Sequence, residues 1–301
     1  MKVMKFGGTS VGNGERILNV AKIIKKYARE EKIVVVVSAM SGVTDRLIAI
    51  FQKYKNKQLS EAMEEMNSLY QFHFDTLKEL KLEKEKFIFT ENTLKYLFGQ
   101  LLCCLSLERN YTAWNYDFVI SFGERFSALF LTQALQKIQV KSKEVDSSQL
   151  ILTTDEFGSA KVLLTGTKKQ VQKMLLPLIF FGTLPVITGF YGATKDGRVA
   201  TLGRGGSDYS ATALAYALSA KEVILWKEVD GIFNGDPKKG QGVKLFKRLS
   251  YGEALQLAKN GAKVLHPQAL KPVAEKEIVV RVKNTFKPKI LGTKIWKGKT
   301  R

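Results

Sequence analysis

Apolar positions in the first fifty residues change period twice. Val3–Phe6 is a short apolar run that leads straight into Gly7-Gly8-Thr9-Ser10. Behind Asn13, the residues Ile17, Val20, Ala21, Ile24 and Ala28 recur at helical spacing, predicting an amphipathic helix after Asn13. Ile33–Val37 is five consecutive β-branched apolar residues, the pattern of a parallel strand buried on both faces. The turn Ser38–Gly42 follows, with Thr44 or Asp45 as the expected cap of the next helix. From Leu59 to Arg109 the pattern is helical throughout, with Met63, Met66, Tyr70, His73 and Leu77 along one side, and reads as a helical insertion outside the sheet. Phe118–Ser121 reads as a return to the sheet, followed by a helix from Glu124, a strand over Val140–Val145 and a helix over Val171–Leu178. Leu184–Phe190 predicts a buried strand interrupted at Gly189, and a glycine-rich loop from Gly192 to Gly206 leads to a helix over Asp208–Ala220. Val223–Trp226 is a further buried strand. Ser250–Lys259 and Gln268–Lys276 read as helices, and Ile278–Val282 as the last strand. This alternation predicts one doubly wound α/β unit. Its most turn-like point, Lys195-Asp196-Gly197-Arg198, divides it into two lobes, 1–195 and 196–301.

Composition narrows the class. With 301 residues, 45% hydrophobic and 25% charged, the chain matches a globular protein and excludes a disordered or fibrous one. The apolar stretch Met174–Phe190 is broken by Pro177, Gly182 and Pro185, so no membrane span is expected. The N-terminus carries no signal peptide pattern. Cys103 and Cys104 are adjacent in a helical run, where neighbours face apart and make a poor disulfide; a reduced, cytoplasmic protein is expected.

The formal charge is +20, which by itself suggests a polyanion partner. Lysines supply 38 of the 48 basic residues and are scattered over helix surfaces, as in Lys22, Lys25 and Lys26. No basic stripe alternates with aromatic residues, and no metal finger or nucleic-acid motif occurs, so nucleic-acid binding is disfavoured against a lysine-rich solvated surface. The two histidines and two cysteines have no metal-ligand spacing. His73 reads as a packed or surface residue, His266 as structural, and Met63 and Met66 as core filler.

Three glycine-rich junctions precede helices, an arrangement that aims backbone N–H groups at an anion. In Lys5-Phe6-Gly7-Gly8-Thr9-Ser10 the glycines permit close backbone approach, the hydroxyls add donors and Lys5 adds a mobile positive charge. Neither a Walker A loop nor a dinucleotide fingerprint is present. In Gly203-Arg204-Gly205-Gly206-Ser207-Asp208, Arg204 suits a two-pronged grip on a carboxylate, and Asp208 stands where an N-cap would also stand. In Ser121-Phe122-Gly123-Glu124-Arg125, an ionised Glu124 can bind an ammonium group, or simply complement a helix dipole. Together they suggest a site for a phosphate, a carboxylate and an amine.

Six stretches, KFGGTSV at Lys5–Val11, VVVSAMSGVTD at Val35–Asp45, SFGERFSA at Ser121–Ala128, GRGGSDYSA at Gly203–Ala211, VDGIFNGDP at Val229–Pro237 and NGAKVLHPQAL at Asn260–Leu270, resemble the aspartate kinases of the amino-acid kinase superfamily, in the family's order over the whole chain. The resemblance implies an αβα sandwich around a mainly parallel sheet. It also implies transfer of the γ-phosphoryl of ATP, with Mg2+ carried by the nucleotide, to the side-chain carboxylate of L-aspartate, the first step toward lysine, threonine and methionine. It implies that Lys5, Gly7, Gly8 and Thr9 hold the transferring phosphate and that Ser38, Ser41 and Thr44 surround the aspartate. Glu124 would bind its amino group and Arg204 its α-carboxylate, with Ser207 and Asp208 close to the reacting end and Asp208 orienting Lys5 or the metal. ATP would lie against Trp226, Lys227, Glu228, Phe233, Asp236, Lys238 and Lys263.

The chain departs from the family where Lys227-Glu228 replaces Thr-Asp, Phe233 replaces a tyrosine and Lys238 an arginine. It also ends at Arg301, before the ACT domains that commonly follow and sense end products, so inhibition through such domains is not expected. Oligomeric state stays open, a homodimer being one reading. Rival functions are a kinase for glutamate or N-acetylglutamate, a nucleic-acid-binding protein using the +20 charge, and a non-catalytic regulatory subunit.

Overall fold

The computed structural model describes residues 1–107, 111–235, 243–259 and 265–298. In chain order the elements are β1 (Lys2–Phe6), α1 (Gly14–Ala28), β2 (Ile33–Val37), α2 (Val43–Lys55), α3 (Leu59–Glu79), α4 (Lys84–Leu107), α5 (Ala113–Ile120), α6 (Phe122–Lys137), β3 (Ser142–Val145), α7 (Leu164–Phe180) and β4 (Leu184–Thr188). They continue with β5 (Tyr191–Ala193), β6 (Val199–Thr201), α8 (Gly206–Leu218), β7 (Glu222–Lys227), β8 (Arg248–Ser250), α9 (Tyr251–Lys259), α10 (Pro267–Glu275), β9 (Val279–Asn284) and β10 (Thr293–Trp296). Eight strands form one sheet in the order β3-β4-β2-β1-β7-β9-β10-β8. Neighbours run parallel except β9 and β10, which are antiparallel.

The period-two alternation of the central strands divides the core into two layers. Met4, Phe6, Val35, Val37 and Trp226 point to the face covered by α1, α2, α6 and the α3–α4 pair. Val3, Val34, Val36, Val223 and Leu225 point to the other face, covered by α7, α8 and α10. This is the αβα arrangement that the family resemblance implies, and the fully buried β2 matches its five β-branched residues. The helix α1 follows Asn13 as expected, and Asn13 caps it, its side chain accepting from the Arg16 N–H at 2.9 Å.

Several expectations are corrected. Phe118–Ser121 is not a strand: α5 runs through it, started by a reciprocal capping box between Thr112 and Asn115. A short apolar run cannot distinguish strand from helix, and here the cap decides. The stretch from Gly192 to Gly206 is more than a loop, since β5 and β6 pair antiparallel, with Lys195-Asp196-Gly197-Arg198 at the turn. The last strand is β10, not β9. Neither Thr44 nor Asp45 caps α2; Gly42, at φ +79°, occupies that position. Met63 is not core filler but lies at the surface, its sulfur accepting from the Tyr54 hydroxyl, whereas Met66 is buried. His73 is wholly buried against Phe98, Phe126 and Phe130; its Nδ1–H donates to the Leu69 carbonyl, and burial lowers its pKa to about 4.

Candidate active site

Strand parity decides which lysines meet. Lys5 lies two residues beyond Val3 in β1, and Lys227 two beyond Leu225 in β7, so both point to the α8 face. Lys5 pairs in register with Leu225, which leaves the two lysines near one another at the C-terminal ends of adjacent parallel strands. Such ends, with a helix N-terminus above them, are where open α/β sheets bind ligands. Asp208, in the first turn of α8, lies between them. Its Oδ1 is 2.8 Å from Lys5 Nζ and its Oδ2 is 2.8 Å from Lys227 Nζ. Burial alone would raise the Asp208 carboxyl; the ammoniums of Lys227 and Lys5 outweigh it and hold the group well below the usual carboxylate range. Lys5, one of the two partners expected for Asp208, is in contact with it, and Lys227 is a further one.

These groups form the floor of a cavity of about 520 Å3. Eight residues expected at the site line it: Lys5, Ser38, Thr44, Glu124, Arg204, Ser207, Asp208 and Lys227. Gly205, at φ +75°, precedes α8 in a conformation that glycine adopts without strain; a Cβ there would also lie 2.7 Å from His266. The turn presents the N-terminus of α8, whose first N–H groups have no intrahelical partner. Exposed Arg204 stands at the rim of this turn.

Glu124 forms part of the opposite wall. Its junction joins α5 to α6 through Ser121, helix to helix, rather than strand to helix. Gly123 packs so closely on the loop after β2 that a Cβ would lie 2.7 Å from that of Ala39. This contact brings the Ala39 N–H to the Glu124 carboxylate, while Oε2 has no hydrogen-bond partner. Burial pushes the Glu124 carboxyl up to about 8, only partly offset by backbone N–H groups and the charge of Lys5. A positive charge brought beside Glu124, such as the ammonium expected from sequence, would favour its ionised form.

Other expected residues lie outside the cavity lining. Gly7 donates its N–H to the Trp226 carbonyl at 3.2 Å, and a Cβ on Gly8 would lie 2.6 Å from the Ala39 carbonyl, so the pair wedges β1 between its neighbours' loops. The Thr9 carbonyl accepts from Arg16, and Ser41 is exposed on the loop after β2. The Trp226 ring is a correction: it is wholly buried, stacked on Phe6 at 5.7 Å, and only its backbone remains for a nucleotide. Glu228 and Phe233, after β7, are not among the residues that line the cavity. Asp236, Lys238 and Lys263 lie outside the described residues.

Sequence reasoning missed Tyr116, Gly158, Phe190 and Thr201 in the lining, and Asp117 behind it. Buried Asp117 accepts from the N–H groups of Gly158 and Thr201 at 2.8 and 2.7 Å and from the Thr201 hydroxyl at 2.9 Å, tying two wall segments to α5. An acid inside the apolar run Trp114–Ile120 was the available signal. Among the described residues, no group of three His, Cys, Asp or Glu side chains could hold a metal ion. Nor, among them, is any helix long and apolar enough to cross a membrane.

The chain is 36% identical over 299 residues to aspartokinase 1, chloroplastic, of Arabidopsis thaliana, covering 98% of this chain and 52% of that protein. It is 31% identical over 291 residues to lysine-sensitive aspartokinase 3 of Escherichia coli, covering 97% of this chain and 63% of that one. The crystal structure of E. coli aspartokinase III in complex with aspartate and ADP superposes with a TM-score of 0.90 at 30% identity, over 100% of this chain and 65% of that chain. A uridylate kinase from Archaeoglobus fulgidus, at 16% identity and a TM-score of 0.54, shares the fold alone. The chain thus spans about half the length of the plant relative and under two thirds of the bacterial one. The amino acid kinase family model matches residues 1–284, from the strand that carries Lys5 to the end of β9, and the chain belongs to the amino acid kinase family.

Proposed function

We propose that this chain is an aspartate kinase catalytic unit, transferring the γ-phosphoryl of ATP to the β-carboxylate of L-aspartate. The observation that carries the reading is one cavity whose floor holds Lys5 against Asp208 and whose walls hold Glu124 and Arg204. A free amino acid presents the matching groups: an ammonium for Glu124, an α-carboxylate for Arg204 and a side-chain carboxylate toward Lys5. Ser38, Thr44 and Ser207 supply hydroxyls around it, with Ser41 and Thr9 beyond the lining. The relatives' names, and the aspartate and ADP in the E. coli structure, support the same substrates. We infer that residues 1–195 furnish most of the acceptor side and 196–301 the nucleotide side, with the segment from Trp226 through Glu228, Phe233, Asp236 and Lys238, and Lys263, against ATP. Cys103 and Cys104 are not joined in a disulfide, which suits a reducing, cytoplasmic setting.

The acceptor carboxylate is already ionised at neutral pH, so no general base is required. A bond forms between its oxygen and the γ-phosphorus, and the bond to the β–γ bridging oxygen breaks. The electron pair leaves on ADP. The obstacle is bringing two anions together, which positioning and charge neutralisation overcome. Lys5 and the N–H groups of the α8 N-terminus supply that charge. Both Asp208 oxygens face lysines, and Mg2+ would enter on the phosphates of ATP.

The test is an ADP-release assay with L-aspartate, L-glutamate and N-acetyl-L-glutamate as acceptors. Aspartate should give the highest kcat/KM. N-acetylglutamate, which lacks the ammonium, should be the poorest. Preference for either glutamate compound would overturn the reading.

A further inference from the structure

We propose that the face of the sheet turned away from the cavity carries a second anion site, centred on Lys283, that takes a short phosphate chain. The sheet itself separates this site from Lys5 and Lys227, so it stands apart from the kinase reading. In β9, Val280 and Val282 enter the core on the α8 side, and Arg281 and Lys283 therefore point the other way. On that side the core built on α1 stops at β7: among the described residues, none from β8, β9 or β10 belongs to it. Register then aligns cations across the uncovered strands. Arg281 of β9 stands opposite Lys294 of β10, and Lys294 opposite Arg248 of β8. Like charges on neighbouring strands, about 5 Å apart, repel one another. Glu222 answers one end of the row, 2.7 Å from Arg281. The side chains of Lys294 and Arg248 make no ion pair among the described residues and lie 5.0 and 6.0 Å from the centre of the Trp296 ring.

Lys283 is the deepest cation of the group. It is 6% exposed, and its ammonium makes no hydrogen bond or ion pair among the described residues. It sits 5.2 Å from the centre of the Trp226 ring, a contact that returns only part of the lost hydration. Burial lowers its pKa, Arg281, Lys26 and Lys2 lower it further, and Glu222 offsets part of the effect. A buried lysine ordinarily has a partner, and an anion seated on Lys283 supplies one. The row beside it selects the kind of anion. A peptide brings one charge per acidic side chain, whereas a phosphate chain brings at least one per phosphorus, with oxygens on every side. That density suits ammoniums acting as point charges and the fork of Arg248. One phosphate on Lys283 and the next over Lys294 and Arg248 would neutralise the uncovered strands.

Calorimetric titration with sodium tripolyphosphate, without Mg2+, tests the site; any binding in the cavity is common to all the variants compared. Lys283→Met should weaken the remaining component at least about tenfold, and Arg248→Gln with Lys294→Gln about as much together. Lys168→Gln with Lys169→Gln, on α7 at the other side of the sheet, removes the same charge as that pair and should change affinity by less than about twofold. Methionine keeps the stem over Trp226 and removes a buried charge, so ligand-free Lys283→Met should melt no lower than wild type. Repeating the titration in excess ADP separates two sources of the chain: loss of the Lys283-dependent component assigns it to a nucleotide's phosphates, its persistence to a free polyphosphate, and both keep the site. Equal weakening in the α7 variant would reduce the effect to net charge and overturn the proposal. Wild-type affinity in both Lys283→Met and the Arg248–Lys294 variant would overturn it too, as would tighter binding of a hexaglutamate peptide than of tripolyphosphate. Should Lys283→Met fail to fold, the Arg248–Lys294 variant, altered only at side chains outside the core, carries the test. An enzyme that fails to phosphorylate aspartate would refute the kinase reading and leave this site standing.

Discussion

Asp208 and Glu124 face the same cavity, both almost wholly buried, yet their pKa values are shifted in opposite directions. Asp208, on the floor, has Lys5 and Lys227 at contact distance and stays ionised. Glu124, on the wall, has backbone N–H groups and one unpartnered oxygen, and holds its proton to about pH 8. Burial is common to both, so the ion pairs decide. The difference teaches that the floor is prepared for an anion before any ligand arrives, whereas the wall acquires its charge from the ligand. A substrate ammonium would complete at Glu124 what two lysines have already completed at Asp208.

The strongest way to break the comparison is to remove the floor's charge. Lys5→Ala should lower kcat about 10²–10³-fold while the protein still folds, because Lys5 meets the charge that develops in transfer. Asp208→Asn should approach the same loss by releasing both lysines. Steady-state kinetics with a melting curve for each variant checks this; retention of most of the wild-type kcat would disprove the assignment of the floor.

The next effect belongs to the wall. Glu124→Gln and Arg204→Ala should each raise the aspartate KM about 10- to 150-fold, the worth of a charge-assisted hydrogen bond of about 1.5–3 kcal/mol, with far less change in the ATP KM. Because Glu124 is protonated in the empty cavity, its glutamine variant should fold as well as wild type. An ATP KM that moved in place of the aspartate KM would exchange the two sides of the cavity.

A pH series sharpens the contrast. Below about pH 8 the substrate ammonium must displace the Glu124 proton, so the aspartate KM should rise as pH falls, toward about tenfold per unit, and Glu124→Gln should abolish that slope. The stability of the ligand-free protein should show the opposite trend. The unfolded carboxyl loses its proton near 4.5 and the folded one near 8, so the unfolded state binds fewer protons between those values and stability falls as pH rises through them. Denaturant titrations of wild type and Glu124→Gln at pH 5, 6.5 and 8 measure the difference. A flat profile in both would remove the protonated wall.

The smallest effect lies away from the cavity. His73 is buried and neutral, with its pKa lowered from 6.5 to about 4, so the unfolded state takes up a proton first and stability is lost as pH falls through that window. His73→Leu should flatten this acid-side slope, at some packing and hydrogen-bond cost at neutral pH, without changing the aspartate KM profile. If it altered that profile, the core and the wall would be coupled.

Local pattern was sufficient wherever one physical preference dominated a segment. Five β-branched residues made β2 legible, and Asn13 ahead of a 3.6-residue period made α1 legible. The junctions containing Lys5, Glu124 and Arg204-Ser207-Asp208 were legible as places for charge because glycine and titratable residues adjoin there. The helix α5 was not, because an apolar run fits two periods, and the β5–β6 pair was hidden by short strands inside a glycine-rich stretch.

The sequence by itself determined the alternation of elements and the family motifs along the chain. Only the tertiary structure decided which groups meet and in what state. Lys5 reaches Lys227 and Asp208 through the register of β1 with β7 and the packing of α8 on that face. Asp117 meets Thr201 across a separation of 84 residues, and Trp226 turns into the core beside Phe6 while Lys227, the next residue, turns into the cavity. Charge states follow from these encounters: an ionised or protonated carboxyl depends on the dielectric around it and on cations beside it, and neither is a property of the residue's neighbours in the chain.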